Sequence, residues 1–375
     1  TNPELLQLLR SEVIPAIGCT EPIAVALCTA RAKELLGAEP DSITVHLSKN
    51  VYKNALAVGI PNTGMTGLPI AIALGATVGK SEYMLEVLRD ATPEAVAYAK
   101  AYMLRVPATI KVDYEAPSLL YIHVEVSSNG QTAQATIMDE HTHFVTSPIS
   151  NSPAANSPQD VQYPIGGTPS NSPQGINLRR VYDFAASVDT TELTFLLEGA
   201  EMNTAAAETS FADQYGHGLG RLLRANTLTA TPEMEKLFGN TLFTKIISYT
   251  CGACDARMSG AMVQVMSNSG SGNQGISCSI PVYLYAKENN CTAEQTLRAL
   301  ALSNLTVIYI KQSLGRLSAL CGCVVAATGS AAGITYLMGG TYDEITYAIK
   351  NMIANISGMI CDGAKPGCAL KVTSG

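Results

Sequence analysis

The sequence contains no tryptophan, and aromatic residues make up only 6% of its 375 residues. A core of this composition has to form from Ala, Leu, Ile, Val and Met, with many contacts at its 31 glycines. Glycine lets two backbones approach closely because it has no Cβ. The composition therefore favours closely packed helices.

Charge is also scarce, since Asp, Glu, Lys and Arg make up 15% of the chain and the net charge is −7 without any basic block. This pattern argues against nucleic-acid binding. Two long uncharged stretches, 54–79 and 317–341, are interrupted by Pro, Gly and polar residues, so we expect no membrane span. The first residues form a polar, helix-like segment without a signal-peptide pattern. We therefore expect a cytoplasmic protein, and the low charge content is compatible with a homodimer.

The hydrophobic pattern predicts an α+β fold with a small antiparallel sheet near the N-terminus. Strand-like runs occupy residues 108–114, 119–127 and 131–139, and Asn129-Gly130 is typical of a tight hairpin between the last two. Thr92 and Thr292 are predicted helix starts. His141 and His143 alternate on a candidate fourth strand, where they either bind a metal or lie at the surface.

Composition also predicts the domain boundaries. We expect residues 1–150 to form a mixed region and residues 176–375 to form a mainly helical domain. Between them, residues 151–175 are rich in Pro, Ser and Asn, which is typical of an exposed linker.

The chain contains ten cysteines, and no disulfide framework is needed in a cytoplasmic chain of this length. Cys361 and Cys368 flank a loop of turn-forming residues, and Cys321 precedes them. Three thiols without an obvious fourth partner predict a metal site with one open position, which is typical of catalytic sites. Thiolates favour iron–sulfur clusters, zinc or Cu(I). The alternative is that all three are buried core cysteines.

Cys19 lies just before a predicted helix that starts near Thr20 and ends before Gly37. The exposed amides and dipole of a helix N-terminus favour a thiolate, so Cys19 is either reactive or an inert packed cysteine. Cys251 and Cys254 have C-x-x-C spacing, which suits a redox or metal pair but also a helix with two incidental cysteines.

A glycine-rich polar run after residue 266 is a candidate anion-binding loop, because its backbone N–H groups can face a carboxylate. A flexible loop is the alternative. The candidate side chains are Ser267, Asn268, Ser269, Ser271 and Asn273.

Four motifs together resemble the L-cysteine desulfidase family, which is related to the catalytic part of bacterial iron–sulfur L-serine dehydratases. They are Gly18–Pro22, Gly270–Ile276, Arg316–Gly322 and Met359–Lys371. The resemblance implies a [4Fe–4S] cluster, no pyridoxal phosphate, and conversion of L-cysteine to pyruvate, ammonia and hydrogen sulfide. Cys251, Cys278 and Cys323 are additional to the family pattern.

Within this resemblance, Cys321, Cys361 and Cys368 match the cluster ligands and Cys19 matches the proton acceptor. Asn50, Asn54 and Lys365 are further candidates for polar contacts with the substrate. Because Cys19 precedes the linker and the ligands follow it, we expect the active site to lie between the two regions.

Three other functions fit the same residues. An L-serine dehydratase would use the same cluster on a hydroxyl leaving group. A non-catalytic iron–sulfur sensor or binding protein would hold the cluster without lyase activity. A pyridoxal enzyme would need a Schiff-base lysine, which the sequence alone does not reveal.

Overall fold

The computed structural model describes residues 3–145, 176–229, 231, 239–315 and 317–375, so the predicted linker at 151–175 lies outside the described residues.

The predicted α+β class is confirmed, and helices dominate. The helices are α1 (Pro3–Glu12), α2 (Thr20–Leu36), α3 (Lys49–Ala55), α4 (Leu68–Thr77), α5 (Pro93–Arg105), α6 (Leu178–Ser187), α7 (Thr194–Ala212), α8 (Leu219–Thr229), α9 (Leu242–Met258), α10 (Gly272–Glu288), α11 (Ala293–Leu314), α12 (Gly322–Leu337), α13 (Tyr342–Ile356) and α14 (Cys368–Ser374). The strands are β1 (Pro15–Ile17), β2 (Ser42–Ser48), β3 (Gly59–Ile60), β4 (Met65–Thr66), β5 (Thr109–Asp113), β6 (Tyr121–Ser128), β7 (Gln131–Met138) and β8 (Gln264–Met266).

The chain divides into two compact units that do not follow its order. One unit contains Thr1–Thr20, Leu56–Thr66 and Asn171–Gly375, and the other contains Glu21–Ala55 and Gly67–Ser170. The first twenty residues, including Cys19, therefore group with the C-terminal helices. This grouping differs from the expectation that Cys19 reaches across from a separate N-terminal region.

The second unit is built on a four-stranded sheet with the order β5-β2-β6-β7. The predicted hairpin is present, with Asn129 and Gly130 both at positive φ between β6 and β7. The expectation of an antiparallel sheet holds for β2, β6 and β7, but β5 pairs parallel to β2. The chain between β2 and β5 contains helices, and such a crossover returns a strand in the same direction. Helix α2 contacts this sheet, where the Cys28 thiol donates to the carbonyl oxygen of Ala135 in β7 at 3.3 Å.

The predicted fourth strand at His141 is not formed, since the described residues there contain only an isolated bridge from Phe144 to Ile137. Its two histidines differ in environment. His143 is exposed, whereas His141 is buried.

The first unit is a bundle of helices whose close packing follows from the glycine content. A Cβ at Gly329 of α12 would lie 2.6 Å from the carbonyl oxygen of Ser303 on α11, and one at Gly333 would lie 2.9 Å from that of Ala299. The backbones of α11 and α12 therefore lie close together at these glycines. No helix among the described residues has the length and apolar character needed to cross a bilayer.

Candidate active site

Seven of the ten cysteines come together in one largely buried cluster of the first unit, which we call the thiol cluster. Its members are Cys19, Cys251, Cys254, Cys321, Cys323, Cys361 and Cys368. The three proposed metal ligands and the proposed base are all among them. All ten cysteines of the chain are free thiols.

Cys321 and Cys361 are placed side by side by a short antiparallel bridge. The N–H of Cys321 donates to the carbonyl oxygen of Met359 at 3.0 Å, and the N–H of Cys361 donates to that of Ala319 at 2.7 Å. Leu320 pairs with Ile360 between these two bonds. Cys368 follows the turn and is the first residue of α14. The loop of turn-forming residues thus lies between two proposed ligands, one positioned by backbone pairing and the other by the start of a helix.

The electrostatic surroundings of Cys321 favour its thiolate form. A hydrogen bond from the Cys323 thiol, with further bonds from the backbone amides of Cys323 and Val324, lowers the pKa of Cys321 against the opposing effect of burial. This shift favours the thiolate of Cys321, which is the form that binds metals. Burial and the neighbouring Cys321 and Cys361 instead raise the pKa of Cys368.

The ligand loop carries a compact set of ion pairs around Asp362. Lys365 and Lys371 both pair with this carboxylate, and they lower the pKa of Asp362 to about 2. Lys371 also donates to the carbonyl oxygen of Ile360 at 2.8 Å, and its charge lowers the pKa of Cys321. Lys365, a sequence candidate for substrate contact, is thus paired with Asp362 within the loop.

Cys19 lies directly before α2, as predicted, and is 4% exposed. Gly18 has a positive φ of 74°, which an L side chain rarely adopts, so glycine suits the turn into the helix. The hydroxyl of Thr20 donates to the carbonyl oxygen of Gly270 at 3.0 Å. The cysteine is therefore fixed at its C-terminal side to the polar loop that follows β8.

That polar loop is more ordered and more buried than a flexible linker. The N–H and hydroxyl of Ser267 both donate to the carbonyl oxygen of Ile14, at 2.8 Å and 2.6 Å. The side chain of Asn268 donates to Asn304, and Ser269 donates to Asn268 at 2.8 Å. These three predicted substrate-binding side chains thus make structural hydrogen bonds.

The other two loop candidates lie at the start of α10. Ser271 precedes the helix, and its side chain makes no capping hydrogen bond. Asn273 is buried and accepts a hydrogen bond from Arg257 at 3.0 Å through Oδ1. Amide groups of the first turn remain suited to an anion.

Sequence reasoning missed Arg257, which lies near the end of α9 and is only 2% exposed. Its Nη2 donates to the carbonyl oxygen of Gly18 at 2.9 Å, so one guanidinium joins the Cys19 turn to the start of α10. An arginine in a helix is usually solvent-exposed, and no pattern in the sequence indicates that this one is buried.

Asn50 and Asn54 lie on helix α3 of the second unit. Asn54 donates to Glu21 Oε1 at 2.9 Å, and His141 Nε2 lies 4.0 Å from the same oxygen. Glu21 and His141 are both buried. The sequence indicated Asn54 but not its pairing with Glu21, because residues 21 and 54 lie far apart along the chain. Asn50 is half-buried.

The three proposed ligands do not form a site for a single metal ion. Among the described residues, no three His, Cys, Asp or Glu side chains are close enough to hold one metal ion. In a four-iron cluster each thiolate binds a different iron, so its ligands lie further apart than those of a mononuclear site. Three thiols in one buried cluster, one of them with a lowered pKa, are consistent with that arrangement.

Comparison with known proteins shows the family of the chain. Residues 82–375 match the sequence model described as serine dehydratase alpha chain. The chain belongs to the serine dehydratase alpha chain family. The match contains the three proposed ligands, the polar loop and Lys365, whereas Cys19, Asn50 and Asn54 lie before it.

Several bacterial relatives align with almost the whole chain. A UPF0597 protein of Phocaeicola vulgatus is 54% identical, covering 99% of this chain and 84% of its own length. A UPF0597 protein of Bacteroides fragilis is 55% identical, and the alignment covers 99% of this chain and 85% of the relative. One from Oleidesulfovibrio alaskensis is 41% identical, and the alignment covers 98% of this chain and 84% of the relative. Family membership supports a dehydratase-like lyase.

Proposed function

We propose that this protein is an L-cysteine desulfidase, which converts L-cysteine and water to pyruvate, ammonia and hydrogen sulfide without net redox change. The observation that carries the proposal is the grouping of Cys321, Cys361 and Cys368 with Cys19 in one buried cluster. The resemblance of the motifs around these cysteines to the desulfidase family selects cysteine among the substrates of related lyases.

Cys321, Cys361 and Cys368 are the residues that would hold a [4Fe–4S] cluster. When bound through three thiolates, such a cluster supplies an iron without a protein ligand as a Lewis acid for the leaving sulfur. The lowered pKa of Cys321 and the positive charge of Lys371 favour this set of negative ligands.

Cys19 is the proposed general base for the Cα proton of the substrate. A neutral thiol does not accept a proton, so this role requires the thiolate that the N-terminus of the 17-residue helix α2 favours. Loss of the proton and of hydrosulfide leaves an aminoacrylate. Its tautomer hydrolyses to pyruvate and ammonia.

The polar loop orients the substrate for this step. The N–H groups at the start of α10 and the hydroxyl of Ser271 are suited to a carboxylate. Because Thr20 and Arg257 tie the Cys19 turn to this region, binding the carboxylate here fixes the Cα proton relative to Cys19.

An L-serine dehydratase is the second candidate, and the family match favours it. It would use the same residues with a hydroxyl leaving group. A thiolate binds iron more readily than a neutral alcohol, and this difference favours cysteine.

Anaerobic purification with iron and sulfide analysis, followed by pyruvate assays on both amino acids, tests the proposal. We expect bound iron and acid-labile sulfide, and a higher kcat/KM for L-cysteine than for L-serine. A preference for serine would establish the dehydratase instead. A full cluster with no turnover of either amino acid would indicate a sensor or binding protein.

A further inference from the structure

Arg257 carries a positive charge into the interior without an acidic partner. Among the described residues no carboxylate pairs with its guanidinium, and its Nε has no hydrogen-bond partner. Asp255, two residues earlier, accepts instead from the N–H of His217 at 3.2 Å. A buried cation costs several kcal/mol unless an anion compensates it.

The guanidinium lies directly against the first turn of α10. A Cβ at Gly272, the first residue of this 17-residue helix, would lie 2.3 Å from Arg257 Nε. The N-terminus of a helix carries a partial positive charge and exposed N–H groups. Two cationic features therefore meet at Gly272, and both favour an anion.

We infer that Arg257 and the N-terminus of α10 form a binding site for the carboxylate of a small thiol-containing acid. The guanidinium matches a carboxylate in shape and charge. Two of its five N–H donors are used, on Gly18 and Asn273. Since Gly18 is adjacent to Cys19, a carboxylate held here places the thiol end of the ligand in the region of the thiol cluster.

The identity of the biological ligand as L-cysteine rests on the proposed function, but the carboxylate site is testable without turnover. Two thiol probes each carry one of the two charged groups of cysteine. 3-Mercaptopropionate has the thiol and the carboxylate, and cysteamine has the thiol and the ammonium group. Binding of each to the anaerobic, cluster-containing protein is measured by calorimetry for wild type and Arg257→Gln.

We expect Arg257→Gln to weaken the binding of 3-mercaptopropionate by about 10- to 100-fold, which is typical of losing a charge-assisted hydrogen bond. The affinity for cysteamine should stay unchanged. Arg298→Gln is the matched control. Arg298 also donates to backbone carbonyls, of Ala185 and Val188, but lies outside the thiol cluster. It should affect neither probe.

Gly272→Ala provides a second variant that keeps the charge. Its Cβ displaces the guanidinium, so the same selective loss of 3-mercaptopropionate binding is expected, and it decides the question if Arg257→Gln does not fold. Three results would each overturn the inference. The first is an equal loss of affinity for both probes, and the second is the absence of 3-mercaptopropionate binding by the wild type. The third is a variant that loses iron but keeps its affinity for 3-mercaptopropionate. Absence of lyase activity would refute the proposed function alone.

Discussion

The side chain of Asn268 has two possible roles in the polar loop: it either contacts the substrate or supports the loop. A substitution at this residue distinguishes the two roles. The residue is fully buried, and its Nδ2 donates to Asn304 Oδ1 at 2.9 Å and to the Asn304 carbonyl oxygen at 3.2 Å. Its Oδ1 accepts from the Ser269 hydroxyl at 2.8 Å. These contacts indicate a supporting role, which Asn268→Ala tests.

The substitution removes three buried hydrogen bonds. At about 1 kcal/mol of net stability for each bond, the free energy of unfolding should fall by about 3 kcal/mol. For a unit of roughly 150–250 residues, each kcal/mol lowers Tm by about 2–4 °C. We therefore expect Tm to fall by about 6–12 °C.

Thermal unfolding followed by circular dichroism under anaerobic conditions measures this change. Asn351→Ala is the control, because Asn351 is exposed on α13 and its replacement should alter stability by less than about 0.5 kcal/mol. A wild-type Tm for Asn268→Ala combined with a raised KM for L-cysteine would refute the reasoning. The side chain would then contact the substrate.

Three further predictions concern the thiols and the ligand loop. Alanine at any proposed ligand should remove most iron and sulfide from anaerobically purified protein, whereas Cys291→Ala, outside the thiol cluster, should retain both. Cys19→Ser should retain the iron but lower kcat by about 100- to 10,000-fold, and near-wild-type turnover would exclude Cys19 as the base. Because Lys365 and Lys371 depress the pKa of Asp362 to about 2, their stabilisation is present above about pH 4 and is lost as pH falls towards 2. Asp362→Asn should flatten the stability–pH curve of the apoprotein there, and an unchanged curve would contradict the assignment.

Features set by short stretches of chain were predictable from sequence. Asn129-Gly130 forms the hairpin because both residues tolerate positive φ. Thr92 and Thr292 start their helices by accepting hydrogen bonds from backbone N–H groups three residues later. Gly37, with φ of 73°, follows the end of α2. Each signal lies within a few residues of the structure it produces.

Features set by pairing between distant segments were not predictable. Residue types alone place Arg257 and Glu21 at the surface, and only the folded chain brings them to Gly18 and Asn54. The lowered pKa of Cys321 likewise depends on the Cys323 thiol, a residue additional to the family pattern. The cysteine pattern identifies candidate ligands, whereas their electrostatics require the structure.

The two sides of the candidate site are stabilised in different ways, and this difference bears on the proposed cluster. The Cys19 side is held by buried hydrogen bonds, including those of Arg257 and Thr20. The ligand loop is held by a few hydrogen bonds to backbone carbonyl oxygens and by ion pairs of Asp362, whose carboxylate is half exposed to solvent. Exposed ion pairs contribute little stability, so thiolate–iron bonds would order the ligand loop more than the Cys19 side. Loss of iron should therefore loosen the segment around Cys361 and Cys368 first, while the proposed base and carboxylate site keep their structure.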